Sequence, residues 1–504
     1  MKNNFIFNIS KSRAMDLPKL DWQAFDVKIK KLQYQIAVAY ETNDLRRVKE
    51  LQRILTGSFA AQMLAMRTVF QSSGIFAAGV DNLSNPTIVQ FWVLADQLRI
   101  IGKSPLTYLA KPVRRVWIPK NHLTNVKNRP LGIPTVLDRA VQALFLMALE
   151  PCVEATSDAN SYGFRKGLGN RDALTTLWNF LHVGRFKPVL VYDADIKNFF
   201  PSVSHDWLLE HIPLSPYILK QFLRAGFVED GTFNTTEEGF PQGGNISPAI
   251  ANIVLNGLEK SIRSNVSKIK PSALDRVHVV RYADDFVVTA PQFRDVLSNI
   301  VAPAITRFLE PRGLQLNLEK TKVVDRKEGF SFLGFSWKYV PNNFRPGQWM
   351  WLVTPTDKAM DLIFKRIDDL FKLSLKEGWP IMQLITKLNQ VLLGWANYYK
   401  MGHPAAAFSK VIEYVWRKYL MWCKLKYPKA SMNWVFTNCF VHETQGKRKS
   451  PCAKPNSISK VKLTDIRTVK GEWFGKQTLF TGNVYKLKFT RTWHETRSGG
   501  KLNT

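Results

Sequence analysis

The sequence predicts an α+β chain of several domains. Residues 188–200 and 280–287 are short apolar runs rich in β-branched side chains and read as strands. By contrast Ile29, Leu32, Ile36 and Tyr40, and far downstream Leu384, Leu388, Val391, Trp395 and Tyr398, recur at helical spacing. With 504 residues there is room for three or four domains, and 45% apolar content with 12% aromatics fills several cores, which argues against a disordered chain.

In chain order, the first helical run is followed by a second at Leu45, Val48, Leu51 and Leu55, with Asn43 as a cap between them. Its polar face carries Arg46, Arg47 and Lys49, a solvated face on composition alone and an RNA-following face if a polyanion is the partner. A basic sheet is expected next, with Lys111, Arg114, Arg115, Lys120, Lys127 and Arg129. Residues 161–169 read as a basic, glycine-containing turn, and residues 239–244 as a flexible turn before a helix that starts near Ser247 with Pro248 at an early position. Residues 341–348 are a break rich in Pro, Gly and Asn, after which helical periodicity returns.

The chemistry concentrates in Val280-Arg281-Tyr282-Ala283-Asp284-Asp285-Phe286-Val287, where two adjacent carboxylates sit at a tight turn between apolar strands. An Asp-Asp doublet alone is usually a solvated turn. Here the strand about ninety residues upstream ends in Asp193 and Asp195 and makes a third carboxylate available. Acidic side chains on adjacent rigid strands suit Mg²⁺, and three of them can hold two ions, one activating a 3′-hydroxyl and one steadying a leaving pyrophosphate. The implied reaction is nucleotidyl transfer, which needs positioning and charge neutralisation and no nucleophilic Ser or Cys.

Tyr282-Ala-Asp-Asp285, Asp195-Ile-Lys-Asn-Phe-Phe200, Gly239-Phe-Pro-Gln-Gly-Gly244 with Asn245-Ile-Ser-Pro-Ala249, and Ser161-Tyr-Gly-Phe-Arg165 resemble, in this order, the motif series of reverse transcriptases. Arg129-Pro-Leu-Gly-Ile-Pro134, Leu316-Asn-Leu-Glu-Lys-Thr-Lys322, Phe332-Leu-Gly-Phe335 and Gly394-Trp-Ala-Asn-Tyr-Tyr399 extend the resemblance, more closely to group II intron-encoded reverse transcriptase/maturases, over roughly residues 20–430.

The resemblance implies a right-hand polymerase: a helical N-terminal extension (1–82) gripping RNA, fingers (83–188), a palm (189–340), a helical thumb or maturase X domain (341–432) and a basic C-terminal nucleic-acid-binding region (433–504). It implies two Mg²⁺ ions on Asp195, the Ile196 backbone, Asp284 and Asp285, with Lys320 as proton donor to pyrophosphate. The incoming dNTP would meet Arg129, one of Lys120 or Lys127, Gln242 and Phe200. A bulky ring at Phe200 would clash with a ribose 2′-hydroxyl, while Phe199 packs inward. Arg165, Lys166, Arg46, Arg47, Lys400 and Arg417 would contact nucleic acid, and Trp395, Tyr398 and Tyr399 would form thumb core. The implied partners are group II intron RNA, an RNA template with its DNA primer, and target DNA.

The charge balance agrees, because 71 Lys and Arg against 40 Asp and Glu give +31, the footprint of a polyanion binder. Residues 441–504 alone carry fourteen Lys and Arg against four acids, so salt-dependent, largely sequence-independent binding is expected of them. Cys152, Cys423, Cys439 and Cys452 form no Cys-x-x-Cys pair, so packed, reduced thiols are expected and neither a zinc ribbon nor an endonuclease domain is. No run approaches eighteen apolar residues, and the basic first fifteen residues read as a polar tail; no membrane partner is expected. The implied compartment is a bacterial cytoplasm or nucleoid, or an organelle matrix. A splicing-only maturase would have lost its carboxylates, yet Asp195, Asp284 and Asp285 are all present. A reverse transcriptase turned to repair or defence stays open.

Overall fold

The computed structural model describes residues 18–119, 128–182, 190–290, 294–343, 345–442, 449–453 and 461–472. At its centre is a four-stranded antiparallel sheet in the order His278–Tyr282, Asp285–Ala290, Leu190–Ala194 and Lys322–Asp325. Both faces are covered. Tyr192, Ala194, Val279, Phe286 and Val288 pack into the main core with the helices Val136–Thr156, Ser247–Leu255 and Leu258–Ile269. Val191, Val280, Val287 and Val324 face the other way, onto the helix Asn170–His182 and onto Phe332, Phe335 and Trp337. Double coverage explains why these strands read as unbroken apolar runs instead of an alternating pattern. Each fully buried side chain of this kind contributes about 1.5–3 kcal/mol.

Four N-terminal helices, Trp22–Glu41, Leu45–Gly57, Phe59–Phe70 and Ile88–Lys103, pack with the 21-residue helix Val136–Thr156. Asn43, expected as a cap, is the left-handed residue (φ 58°) just beyond the first helix, a conformation Asn tolerates. The cap is Asp44, whose carboxylate accepts from the Arg47 N–H at 3.0 Å. Gly102 lets helices cross closely: a Cβ there would lie 2.4 Å from the Thr56 carbonyl oxygen.

A second four-stranded sheet joins Asn128–Ile133, Val113–Pro119, Phe227–Glu229 and Thr232–Asn234. Past the central sheet, Phe330–Phe332, Phe335–Pro341 and Trp349–Pro355 make a three-stranded meander. The break at residues 341–348 is therefore the turn of a β-hairpin, with Pro341 opposite Trp349, and the boundary expected after residue 340 falls inside that hairpin. The helices Asp357–Lys376, Ile381–Tyr399 and Ala405–Lys426 follow, sharing a core built on Ile367, Leu388, Leu392, Val411, Val415 and Trp422. Within residues 433–504, expected as a basic nucleic-acid-binding region, Phe440, Leu463 and Ile466 pack into that same core and a small sheet forms from Phe440–His442, Lys449–Ala453 and Val461–Lys462. All four cysteines are buried. Among the described residues no helix is long and apolar enough to cross a membrane.

Gly102→Ala is expected to lower unfolding free energy by about 1–3 kcal/mol through overpacking. Gly394→Ala, in a helix where a Cβ meets nothing within 4 Å, is expected to raise it by about 0.5–1 kcal/mol. Denaturant titration of both variants checks the pair.

Candidate active site

The central strands bring the predicted carboxylates together by register. Ala194 pairs with Phe286 and Asp193 with Val287, so one step further Asp195 stands beside Asp285, at an antiparallel Cα spacing of roughly 4.5–5.5 Å. Side chains alternate along a strand, which puts Asp193, Asp195 and Asp285 on one face, with Asp284 exposed at the hairpin turn. Desolvation, reinforced by Asp193 and Asp284, pushes the Asp285 carboxyl up to about 7. Desolvation and Asp195 push Asp193 up to about 6, against the pull of Lys322 opposite it. Asp193, two residues before Asp195 and hence on the same face, was not among the expected site residues; strand alternation could have found it.

One oxygen of Asp195, Oδ2, accepts from both Lys320 Nζ and Asn317 Nδ2 at 3.0 Å. Lys320 is thus brought to the acidic face, on an exposed pair whose side chains are 65% and 44% accessible. Ile196 pairs with Leu316 through flanking bonds, Lys197 N–H to Gln315 O at 2.9 Å and Asn317 N–H to Asp195 O at 2.8 Å, and neither uses the Ile196 carbonyl. Among the described residues no three His, Cys, Asp or Glu side chains are drawn together as a finished metal cage. The donor set nevertheless fits a divalent cation, because hard carboxylate oxygens that raise one another's proton affinity are a place where positive charge is favourable.

Beneath the hairpin lies Arg281, 2% exposed. Its guanidinium donates to the Ala283 carbonyl (3.2 Å), Asn252 Oδ1 (3.3 Å) and Asn256 Oδ1 (2.9 Å). Burial lowers its pKa to about 10, which still leaves it charged at neutral pH. Asn252 in turn donates to the Gly163 carbonyl at 2.9 Å. Tyr162 N–H meets Arg281 O and Arg281 N–H meets Asn160 O, each at 2.9 Å. Gly163 has no side chain to spare: a Cβ would come within 2.3 Å of the Ala283 nitrogen. These contacts hold Ala283 left-handed (φ 57°) and so aim the two aspartates. Arg281 was an unassigned charge in an apolar strand, and Asn252 and Asn256 one helical turn apart are the other signal that was available.

Phe199 is buried, whereas Phe200 is half-buried with its ring 5.2 Å from Phe240. Gly239 (φ 72°) is required beside them, since a Cβ would sit 2.5 Å from the Pro201 carbonyl carbon. Gln242 O accepts from Gly132 N–H at 2.7 Å, and Gln242 Oε1 is buried with no protein partner. That bond ties the turn to the strand Asn128–Ile133, on which Arg129 is exposed. Lys120 and Lys127 lie outside the described residues. Arg114 and Arg115 of the expected basic sheet are committed elsewhere, the first to the Ala78 carbonyl at 2.8 Å and the second over the Phe227 ring at 3.3 Å.

Arg165 is a correction. It is buried, ion-paired with Glu154 at 2.9 Å and donating to Ser161 O at 2.6 Å, so it braces the turn from within and does not reach a polyanion. Lys166 is exposed and pairs with Glu150, while Arg46 and Arg47 are exposed and share Glu50. Lys400 is held by Glu472 at 2.9 Å, and Arg417 is exposed. Tyr399 packs on the helical core, and Tyr398, expected as core, is 40% exposed and reaches out to the Leu333 carbonyl at 2.9 Å.

Residues 118–337 match the family described as reverse transcriptase (RNA-dependent DNA polymerase), residues 18–98 the N-terminal domain of reverse transcriptase, and residues 363–440 the group II intron maturase-specific domain. Protein YkfC of Escherichia coli is 30% identical over 339 residues, covering 61% of this chain and 87% of that protein. A COX1/OXI3 intron 2 protein of Saccharomyces cerevisiae is 25% identical over 58% of this chain and 38% of its own length. The group II intron-encoded protein LtrA of Lactococcus lactis is 33% identical over 34% of this chain and 28% of its own length. The chain thus spans well under half of the last two relatives.

The raised Asp285 carboxyl has a pH consequence. The folded state holds this proton more tightly than the unfolded chain, so the group's contribution to stability falls as pH rises from about 4 to about 7 and is least favourable above that. In metal-free protein, Asp285→Asn is expected to gain stability over wild type at pH 8 and to lose the advantage by pH 4. Melting temperatures across that range, with and without Mg²⁺, check it.

Proposed function

Because the chain belongs to the group II intron-encoded reverse transcriptase/maturase family, we propose that it copies RNA into DNA at its acidic face and binds group II intron RNA to assist splicing and mobility. The observation that carries the polymerase reading is the shared face of Asp193, Asp195 and Asp285, with Asp284 at the adjoining turn. In this reading the central sheet is the palm, the paired strands Val113–Pro119 and Asn128–Ile133 with their surroundings the fingers, and the helices from Asp357 onward the thumb.

Asp195, Asp284 and Asp285, with the Ile196 carbonyl, would hold two Mg²⁺ ions, which supply charge neutralisation at the phosphates and a lowered pKa for the primer hydroxyl. The chain's own groups do the rest. Arg129 and a lysine of residues 120–127 bind the triphosphate, for which bidentate guanidinium geometry is suited. The Gln242 side chain, with its buried unpartnered oxygen, contacts the base or template. The half-exposed Phe200 ring excludes a 2′-hydroxyl, and Lys320, already beside Asp195, gives a proton to the departing pyrophosphate.

RNA binding is assigned to the exposed cations Arg46, Arg47, Lys166 and Arg417 and to the basic C-terminal region, with Lys400 joining once released from Glu472. The site of action is the compartment that houses the intron, bacterial cytoplasm or nucleoid, or organelle matrix.

Primer extension on an RNA template is expected to fall by roughly 10²–10³-fold or more in Asp195→Asn and Asp284→Asn. RNA retention on filters should be unchanged in both. Extension that survives either substitution would remove the polymerase assignment. Phe200→Ala is expected to admit ribonucleotides; incorporation ratios measured with mixed dNTP and rNTP pools decide this, and undiminished discrimination would reject the gate.

A further inference from the structure

Leu333 occupies an unusual position in the turn between Phe332 and Phe335. Both flanking rings are buried and pair across the turn, while Leu333 and Gly334 are both left-handed, at φ 51° and 79°. A leucine in that conformation persists only where its surroundings over-determine it. The two ends of its peptide group show what does so. The Leu333 N–H faces the Asp285 carboxylate and favours its charged form, and the strand Phe330–Phe332 just before it packs against the strand Asp285–Ala290. The Leu333 carbonyl accepts from the Tyr398 hydroxyl at 2.9 Å.

Tyr398 is well placed to transmit position. It lies near the end of the helix Ile381–Tyr399, its ring stacks on Phe335 with centroids 5.8 Å apart, and the Asn170 side chain at the start of the helix Asn170–His182 approaches its oxygen. The turn is closed from the other side by Tyr399, whose hydroxyl would lie 2.8 Å from a Cβ on Gly334. One hydroxyl therefore joins three parts of the molecule: the C-terminal helices, the turn at Leu333 and the helix that packs behind the sheet.

We infer that Tyr398 is a positioning residue, whose hydroxyl locks the Leu333 turn and thereby couples the placement of the C-terminal helices to the hairpin that carries Asp284 and Asp285. The functional consequence rests on the polymerase reading above, and a turn beside the acidic face is where a primer end would be seated. As the helices ride with the duplex, the Leu333 peptide keeps the primer terminus in register with the acidic face. Without the hydroxyl the carbonyl loses its protein donor while the ring stacking on Phe335 persists. The fold survives; the alignment loosens.

The test is Tyr398→Phe in the full chain, read in two ways. Hydrogen exchange of the peptide covering residues 330–336, measured without nucleic acid, is expected to accelerate severalfold, while exchange in the strand Leu190–Ala194 and the melting temperature stay as in wild type. In primer extension with a trap for dissociated enzyme, product length per binding event is expected to fall severalfold with RNA affinity unchanged. Tyr414→Phe, which loses a hydroxyl bond to Asp368, serves as control and should move neither readout. Exchange within experimental error of wild type would overturn the coupling whether or not the chain polymerises. Accelerated exchange with unaltered product length would overturn the positioning role alone.

Discussion

A buried guanidinium sets the geometry on which the acidic face depends. Arg281 sits where a charge is expensive, beneath a hairpin and among apolar strands, and is tolerated because its two terminal nitrogens donate to Asn252, Asn256 and the Ala283 carbonyl, while its Nε has no partner among the described residues. Its removal would leave those acceptors unpaired as well as the turn unsupported. The same network reaches the segment around Gly163, so the glycine-containing stretch after residue 160 acts as backbone scaffolding for the Asp284–Asp285 turn.

Above that scaffold the arrangement is electrostatically unfavourable without a compensating cation. Asp193, Asp195 and Asp285 share one face, and their mutual repulsion together with burial holds two of them near neutrality in proton affinity. Lys320 and Asn317 satisfy one oxygen of Asp195. A site of this kind is unstable for the fold and useful for chemistry, which is the usual relation between strained electrostatics and function. Tyr398 adds a mechanical element by tying the turn beside Asp285 to the C-terminal helices.

Much of this was legible from residues alone. The apolar runs at 188–200 and 280–287, the helical spacing of Leu384, Leu388 and Trp395, and the inward packing of Phe199 follow from periodicity and burial. Arg165 was misread because a cation beside a glycine-rich turn is ordinarily exposed; its partner Glu154 lies eleven residues away on a different element, and only the fold brings it near. The hairpin at residues 335–355 was missed because a Pro-, Gly- and Asn-rich stretch signals a break equally well between domains and between strands. Local sequence does not say whether the chain returns to pair with itself.

By itself the sequence determined which chemistry is possible: four carboxylates at strand ends, a basic surface and an ordered set of motifs are properties of residue type and spacing. The tertiary structure decided where those charges stand. It set Asp193 beside the others by strand register, buried Arg281 and Arg165 as braces, left Arg46, Arg47 and Arg417 exposed, and brought Tyr398 to Leu333 across 65 residues of chain. The physical reason is that desolvation and hydrogen-bond satisfaction depend on neighbours distant in sequence, and these decide whether a charged or polar side chain holds the fold together or faces a substrate.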